Sequence, residues 1–115
     1  MFNDFAQQFQ DVDAVQFQKL MQSGEGIILD VRTPEEFSAG HLEGAMLIDV
    51  TKPDCVSKIN LLPKDQPIYL YCRVGSRSSA TADYMAKIGF PKLYNLQHGI
   101  VDWSQCGLPI EQGDL

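Results

Sequence analysis

Two short apolar runs constrain this chain most, Ile27-Ile28-Leu29-Asp30-Val31 and Ile68-Tyr69-Leu70-Tyr71-Cys72. Each has the length of a strand and is almost continuously apolar, the pattern of a strand covered on both faces, as the strands of a parallel sheet are. The segments between and around them read as helices. Asp13 can cap a helix running to about Gln22, which Ser23-Gly24 stops. Thr33-Pro34-Glu35-Glu36 places a cap, a proline at the first helical position and a glutamate at the third, a capping box for a short helix ending at Gly40. Ser78 to Ile88 reads as a helix closed by Gly89, and Ile100 to Gln105 as a last short one. Short strands are expected at 46–48 and 93–96, and a short helix plus loop at 51–62.

Strands alternating with helices, with no connection short enough for a hairpin, predict an α/β fold. Its central, mostly parallel sheet carries helices on both faces, joined by right-handed crossovers. A chain of 115 residues has room for one such domain. It is expected over 10–110, with a lead-in at 1–9, where Phe2, Phe5 and Phe9 have the spacing of a helical turn, and a tail at 111–115.

Charge narrows the function. Nine basic against fifteen acidic residues give a formal charge of −6, which argues against a nucleic-acid partner. Cys55, Cys72 and Cys106 are widely spaced and odd in number, so neither a disulfide scaffold nor a metal site is expected. No apolar run approaches the ~18 residues of a membrane span, and the acid at Asp4 is unlike a signal peptide. A reduced, cytoplasmic setting and no membrane partner are the expectation, and no motif speaks to oligomeric state.

In open α/β sheets ligands bind at the carboxyl ends of the strands. There, after Tyr71, stands Cys72-Arg73-Val74-Gly75-Ser76-Arg77, joining a buried strand to the start of a helix. Such a turn can curl its amides into an anion-binding nest, with the helix terminus adding positive charge. A sulfur held there gains hydrogen bonds and the nearby charges of Arg73 and Arg77 when it ionises, which makes a thiolate nucleophile. Gly75 permits a backbone conformation closed to other residues, and the small Ser76 leaves the loop uncrowded. Asp30 and Arg32, two residues apart at a strand end, lie on one face and are expected to pair or to orient this loop. His41 is a candidate base, although a thiolate already stabilised needs none, so a structural hydrogen bond is the stronger expectation for it.

In this order and spacing the chain resembles the rhodanese-like (sulfurtransferase) domain family from about Gln10 to Ile110. The pieces that carry the resemblance are Leu29-Asp30-Val31-Arg32, Glu35-Glu36-Phe37, Gly40-His41-Leu42-Glu43-Gly44-Ala45, the 72–77 loop, Gly99-Ile100, Trp103 and Gly107-Leu108-Pro109. Glu43 stands where the family often has proline, and His98 where it usually has the first of two glycines. The resemblance implies a single-domain sulfurtransferase that needs no cofactor. Cys72 would take a sulfane sulfur from a small anionic donor such as thiosulfate. It would pass that sulfur from a persulfide to cyanide, a thiol or a protein cysteine, with residues 73–77 supplying amides and anion contacts. The alternatives are a cysteine phosphatase or arsenate reductase and a non-catalytic binding module of the same fold. Phosphotyrosine-type phosphatase loops place five residues between cysteine and arginine, whereas four separate Cys72 from Arg77, and Ser78 holds the longer position. The tighter bowl suits one sulfur atom better than a phosphoryl group.

Overall fold

The computed structural model describes residues 8–113. Its elements follow in the order β1 (Gln10–Val12), α1 (Ala14–Met21), β2 (Ile27–Asp30), α2 (Pro34–Ala39), β3 (Met46–Leu47), α3 (Cys55–Asn60), β4 (Ile68–Tyr71), α4 (Ser76–Lys87), β5 (Leu93–Leu96) and α5 (Gly99–Gln105). The strands form one sheet in the order β1-β5-β4-β2-β3, and every pairing is parallel. The expected α/β architecture is therefore present. It gains one strand that the sequence pattern did not announce: β1 pairs with β5 at Gln10↔Tyr94 through Val12↔Leu96. Two starts also move, since α4 begins at Ser76 rather than Ser78, and α5 at Gly99 rather than Ile100. The helical turn expected through Phe2 and Phe5 lies outside the described residues, while Phe9 is buried in the core.

The capping chemistry is realised where the sequence places it. Asp13 accepts from the Gln16 amide at 2.8 Å to open α1. In α2 the Thr33 hydroxyl accepts from the Glu36 amide at 3.3 Å while the Glu36 carboxylate accepts from the Thr33 amide at 3.2 Å, which satisfies two N-terminal donors reciprocally.

Strand parity decides what each face of the sheet holds. Leu29, Val31, Ile68, Leu70 and Cys72 point to one face, where Ile59 of α3 and Ala82 and Met85 of α4 cover them. Tyr69, Tyr71 and Leu96 point to the other, under Ala14 and Phe17 of α1 and Ile100 and Trp103 of α5. Because β4 is buried at all four residues, it is the strand from which the rest of the sheet is hung.

Strand order also locates the crevice. From β2 the chain moves outward to its neighbour β3, and from β4 it moves the opposite way to β5. The winding reverses between β2 and β4, and the opening at their carboxyl ends is where ligands bind in such sheets. The residues that leave those two ends are Val31-Arg32 and Cys72-Arg73.

The turn after β4 is gripped by the start of α5. The Ile100 amide donates to the Cys72 carbonyl at 2.9 Å and the Val101 amide to the Arg73 carbonyl at 3.2 Å. Gly99 makes this approach possible: its φ is +69°, and a Cβ there would fall on the Arg73 carbonyl. We expect Gly99→Ala to cost about 2 kcal/mol or more, read as a lowered midpoint in denaturant unfolding; a change below about 0.5 kcal/mol would mean that the loop does not depend on this grip.

Candidate active site

Cys72 is the first residue past β4, and its side chain is fully buried. Its sulfur is nevertheless not in an apolar setting. Sγ accepts from the Gly75 amide at 3.1 Å, the Ser78 amide at 3.4 Å and the Ser78 hydroxyl at 3.3 Å. Gly75 has φ +105°, and a Cβ on it would run into the Gln97 carbonyl. Only glycine lets the chain turn its amide back onto the sulfur here. Ser76 and Arg77, the first two residues of α4, have amides with no intrahelical acceptor. The sulfur thus sits at the amino-terminal end of a twelve-residue helix, ringed by donors.

Ser78 is a site residue that local pattern does not mark: because α4 starts at Ser76, Ser78 falls on its first turn, over the sulfur. Its hydroxyl also lies 3.3 Å from the Gly75 carbonyl, and its single hydrogen can serve only one of the two acceptors at a time.

The remaining loop residues divide. Arg73 and Val74 are exposed at the tip, Val74 by 51%. Arg77, expected beside Arg73 as an anion contact, is engaged instead by Glu36 across the crevice. Its Nη1 donates to Oε1 at 2.7 Å and its Nη2 to Oε2 at 2.8 Å. Glu36 therefore has two tasks, capping α2 and holding Arg77. The Arg77 hydrogen bonds, working against partial burial and helped by the Thr33 amide, hold its carboxyl at about 2.

Asp30 and Arg32 do pair. Arg32 donates from Nε to Oδ1 at 2.9 Å and from Nη2 to Oδ2 at 2.7 Å, and Nη2 also reaches the Gly40 carbonyl at 2.5 Å. Asp30 is in register with Tyr71, on the face of the sheet opposite Cys72. Arg32 lies over the Tyr71 ring at 5.4 Å. Burial and then the Asp30 charge push the Tyr71 phenol well above its usual range, and its oxygen accepts from the Leu42 amide at 3.1 Å. This pair fastens the segment after β2 to α2 and β4. His41 is occupied likewise: its ring stacks on Phe37 at 3.8 Å, and Nδ1 bonds the Phe37 carbonyl at 2.9 Å. Its backbone pairs with Glu111 through two 2.8 Å hydrogen bonds.

Two mainly apolar clefts adjoin the loop. One, of about 360 Å³, is lined by Arg32, Glu36, Gly40, Ile100, Val101 and Ile110. The other, of about 280 Å³, is lined by Val50, Cys55, Val56, Ile59, Arg77 and Tyr84. The Glu36–Arg77 pair stands between them. Among the described residues no group of three or more His, Cys, Asp or Glu could hold a metal ion, and no helix is long and apolar enough to cross a membrane.

A buried strand leads here to a cysteine whose sulfur receives loop and helix amides, at the point where a parallel sheet reverses its winding: an α/β domain with a donor-ringed cysteine loop. The family model of the rhodanese-like domain matches residues 13–106, and the chain belongs to that family. Among relatives, a sulfurtransferase of Allochromatium vinosum is 34% identical over 94 residues, 81% of this chain and 85% of that protein. The thiosulfate sulfurtransferase GlpE of Vibrio cholerae is 28% identical over 103 residues, 90% and 95% of the two chains. The crystal structure of a rhodanese-like domain protein from Staphylococcus aureus matches with a TM-score of 0.75 at 28% identity, covering 90% of this chain and all of that one. A rhodanese-related protein from Thermoplasma volcanium shares the fold at a TM-score of 0.78 and 22% identity, covering 90% of this chain and 98% of that one.

The Glu36–Arg77 pair makes a pH-dependent contribution to stability. The carboxyl sits near 4.5 when free and at about 2 in the fold, so the contribution is complete above the free value and disappears as pH falls through the folded one. With 32% and 27% of the two side chains open to solvent, about 1 kcal/mol is expected at neutral pH. Glu36→Gln should unfold earlier than the parent by that amount at pH 7, with the gap closing below about pH 4; a gap independent of pH would show that the pair's charge contributes nothing.

Proposed function

We propose that this protein is a sulfurtransferase in which Cys72 carries the transferred sulfur. The observation that supports this reading most is the ring of donors on Sγ, from Gly75 and Ser78. In the first half-reaction the Cys72 thiolate attacks the outer sulfur of a small anionic donor such as thiosulfate. A new S–S bond forms, the donor's own S–S bond breaks, and its electron pair leaves with sulfite. The persulfide's terminal sulfur carries the negative charge, and the free amides of Ser76 and Arg77 at the start of α4 are suited to receive it. In the second half-reaction cyanide, a small thiol or a protein cysteine attacks that terminal sulfur and the Cys72 thiolate departs. A covalent intermediate of this kind gives ping-pong kinetics. Neither half-reaction calls for a cofactor.

The site favours this chemistry over phosphoryl transfer. A phosphoryl group must sit whole inside the bowl, ringed by its amides, whereas sulfur transfer asks the bowl to hold one added atom, and three donors from Gly75 and Ser78 already close on Sγ. A non-catalytic role is disfavoured by the retained cysteine and its donors.

Intact-protein mass after thiosulfate treatment tests the proposal. The protein should gain one sulfur, about 32 Da, lose it to a small thiol, and show no gain as Cys72→Ala. A gain that survives in Cys72→Ala, or turnover of an aryl phosphate with no sulfur gain, would overturn it.

A further inference from the structure

The rim of the crevice carries five charged side chains, and how they are paired sets what charge a donor meets. Arg32 is neutralised by Asp30 at 2.7 Å, and Arg73 is exposed at the loop tip. Arg77 is the second residue of α4 and directly precedes Ser78, whose amide and hydroxyl bond the sulfur, which places its charge where it could draw an anion toward that sulfur. Yet both ends of its fork are held by Glu36, at 2.7 and 2.8 Å. The same carboxylate is anchored from behind, since its Oε1 also receives the Thr33 amide and hydroxyl at 3.2 Å each. It cannot swing away without undoing the cap of α2. The pair bridges α2 and α4 across the opening between β2 and β4, and about a third of each side chain or less meets solvent. It therefore forms part of the wall of that opening.

Resting on the reading of Cys72 as the sulfur carrier, we propose that Glu36 is a specificity-determining residue of this site. By occupying the Arg77 fork it cancels the positive charge that would otherwise reward a doubly charged donor, and so biases the site toward sulfane-sulfur donors of lower negative charge. The Coulomb term felt by a donor scales with the donor's own charge. With Glu36 in place the exposed Arg73 at the loop tip is the cation of these five that no carboxylate among the described residues pairs, and each additional negative charge on the donor is met by repulsion from the sulfur with only that solvent-screened charge to offset it. The carboxyl's low value, about 2, keeps this arrangement constant through the neutral range.

Thiosulfate and methanethiosulfonate separate the idea from the reading beneath it. Both offer a sulfane sulfur bound to an oxidised sulfur, and they release sulfite and methanesulfinate respectively. They are similar in size but differ by one charge. Glu36→Gln keeps an oxygen for the Thr33 amide while removing the charge that holds Arg77. It should raise kcat/KM for thiosulfate about tenfold and for methanethiosulfonate only about threefold, the gain for the dianion being roughly the square of that for the monoanion. Both gains should lie chiefly in KM and shrink as ionic strength rises. Arg77→Gln, which leaves Glu36 unopposed, should do the reverse, with thiosulfate losing more than methanethiosulfonate. Equal changes for the two donors in both variants, or a loss for thiosulfate in Glu36→Gln, would overturn the assignment of Glu36 while leaving sulfur transfer standing. Failure of both donors to load the parent protein would instead bring down the reading of Cys72, and this inference with it.

Discussion

The arrangement depends on the grip that the first turn of α5 takes on the residues leaving β4. Two amides, of Ile100 and Val101, bind the carbonyls of Cys72 and Arg73. With those carbonyls fixed, the chain must turn within three residues to enter α4. It does so by placing Gly75 in a left-handed conformation with φ +105°, its amide aimed at Sγ. The grip is backbone on backbone, and both it and the turn onto the sulfur need glycines whose Cβ positions are already filled by carbonyl groups. A side chain at residue 75 or 99 would push the loop outward and take the donors off the sulfur. The placing of the Gly75 and Ser78 amides on Cys72 is thus set by main-chain geometry.

Charge pairs fix the two rims of the crevice in different ways. On the α1/α5 face, Asp30 and Arg32 are almost wholly buried. Removing charge from water is costly, and such a pair persists only when its remaining hydrogen bonds are met; the Arg32 amide and the Gly40 carbonyl supply them. Its role is to hold the segment after β2 in place, with Tyr71 beneath. On the α3/α4 face, the Glu36–Arg77 pair is about a third open to solvent and adds little stability. Its importance lies in what it leaves unavailable, because an arginine whose fork is filled cannot grasp an anion with it.

Much of this was legible in the sequence, for identifiable reasons. The runs ending at Val31 and Cys72 are apolar enough to specify central strands, and Thr33-Pro34-Glu35-Glu36 encodes its capping box in four adjacent residues. The anion-nest reading of residues 72–77 needed only a strand, a glycine and a helix start in succession. What stayed hidden was tertiary. Gln10-Asp11-Val12 has one apolar residue and no alternation, and it becomes a strand because the edge of β5 offers it main-chain partners. Glu36 is 41 residues from Arg77, so local pattern exposes its capping role and not its second one. Ser78 went unnoticed as a donor because its relation to the sulfur depends on where α4 begins, and helix ends are the least sharply encoded part of a helix.

Whether the donors converging at the start of α4 hold a charged sulfur on residue 72 can be seen in a crystal structure of the thiosulfate-treated protein. One additional sulfur bonded to Cys72 Sγ is expected there, inside the loop and within hydrogen-bonding distance of the amides that open α4. Added sulfur on Cys55 or Cys106 alone, or a Cys72 side chain turned away from the Gly75 and Ser78 amides, would contradict it.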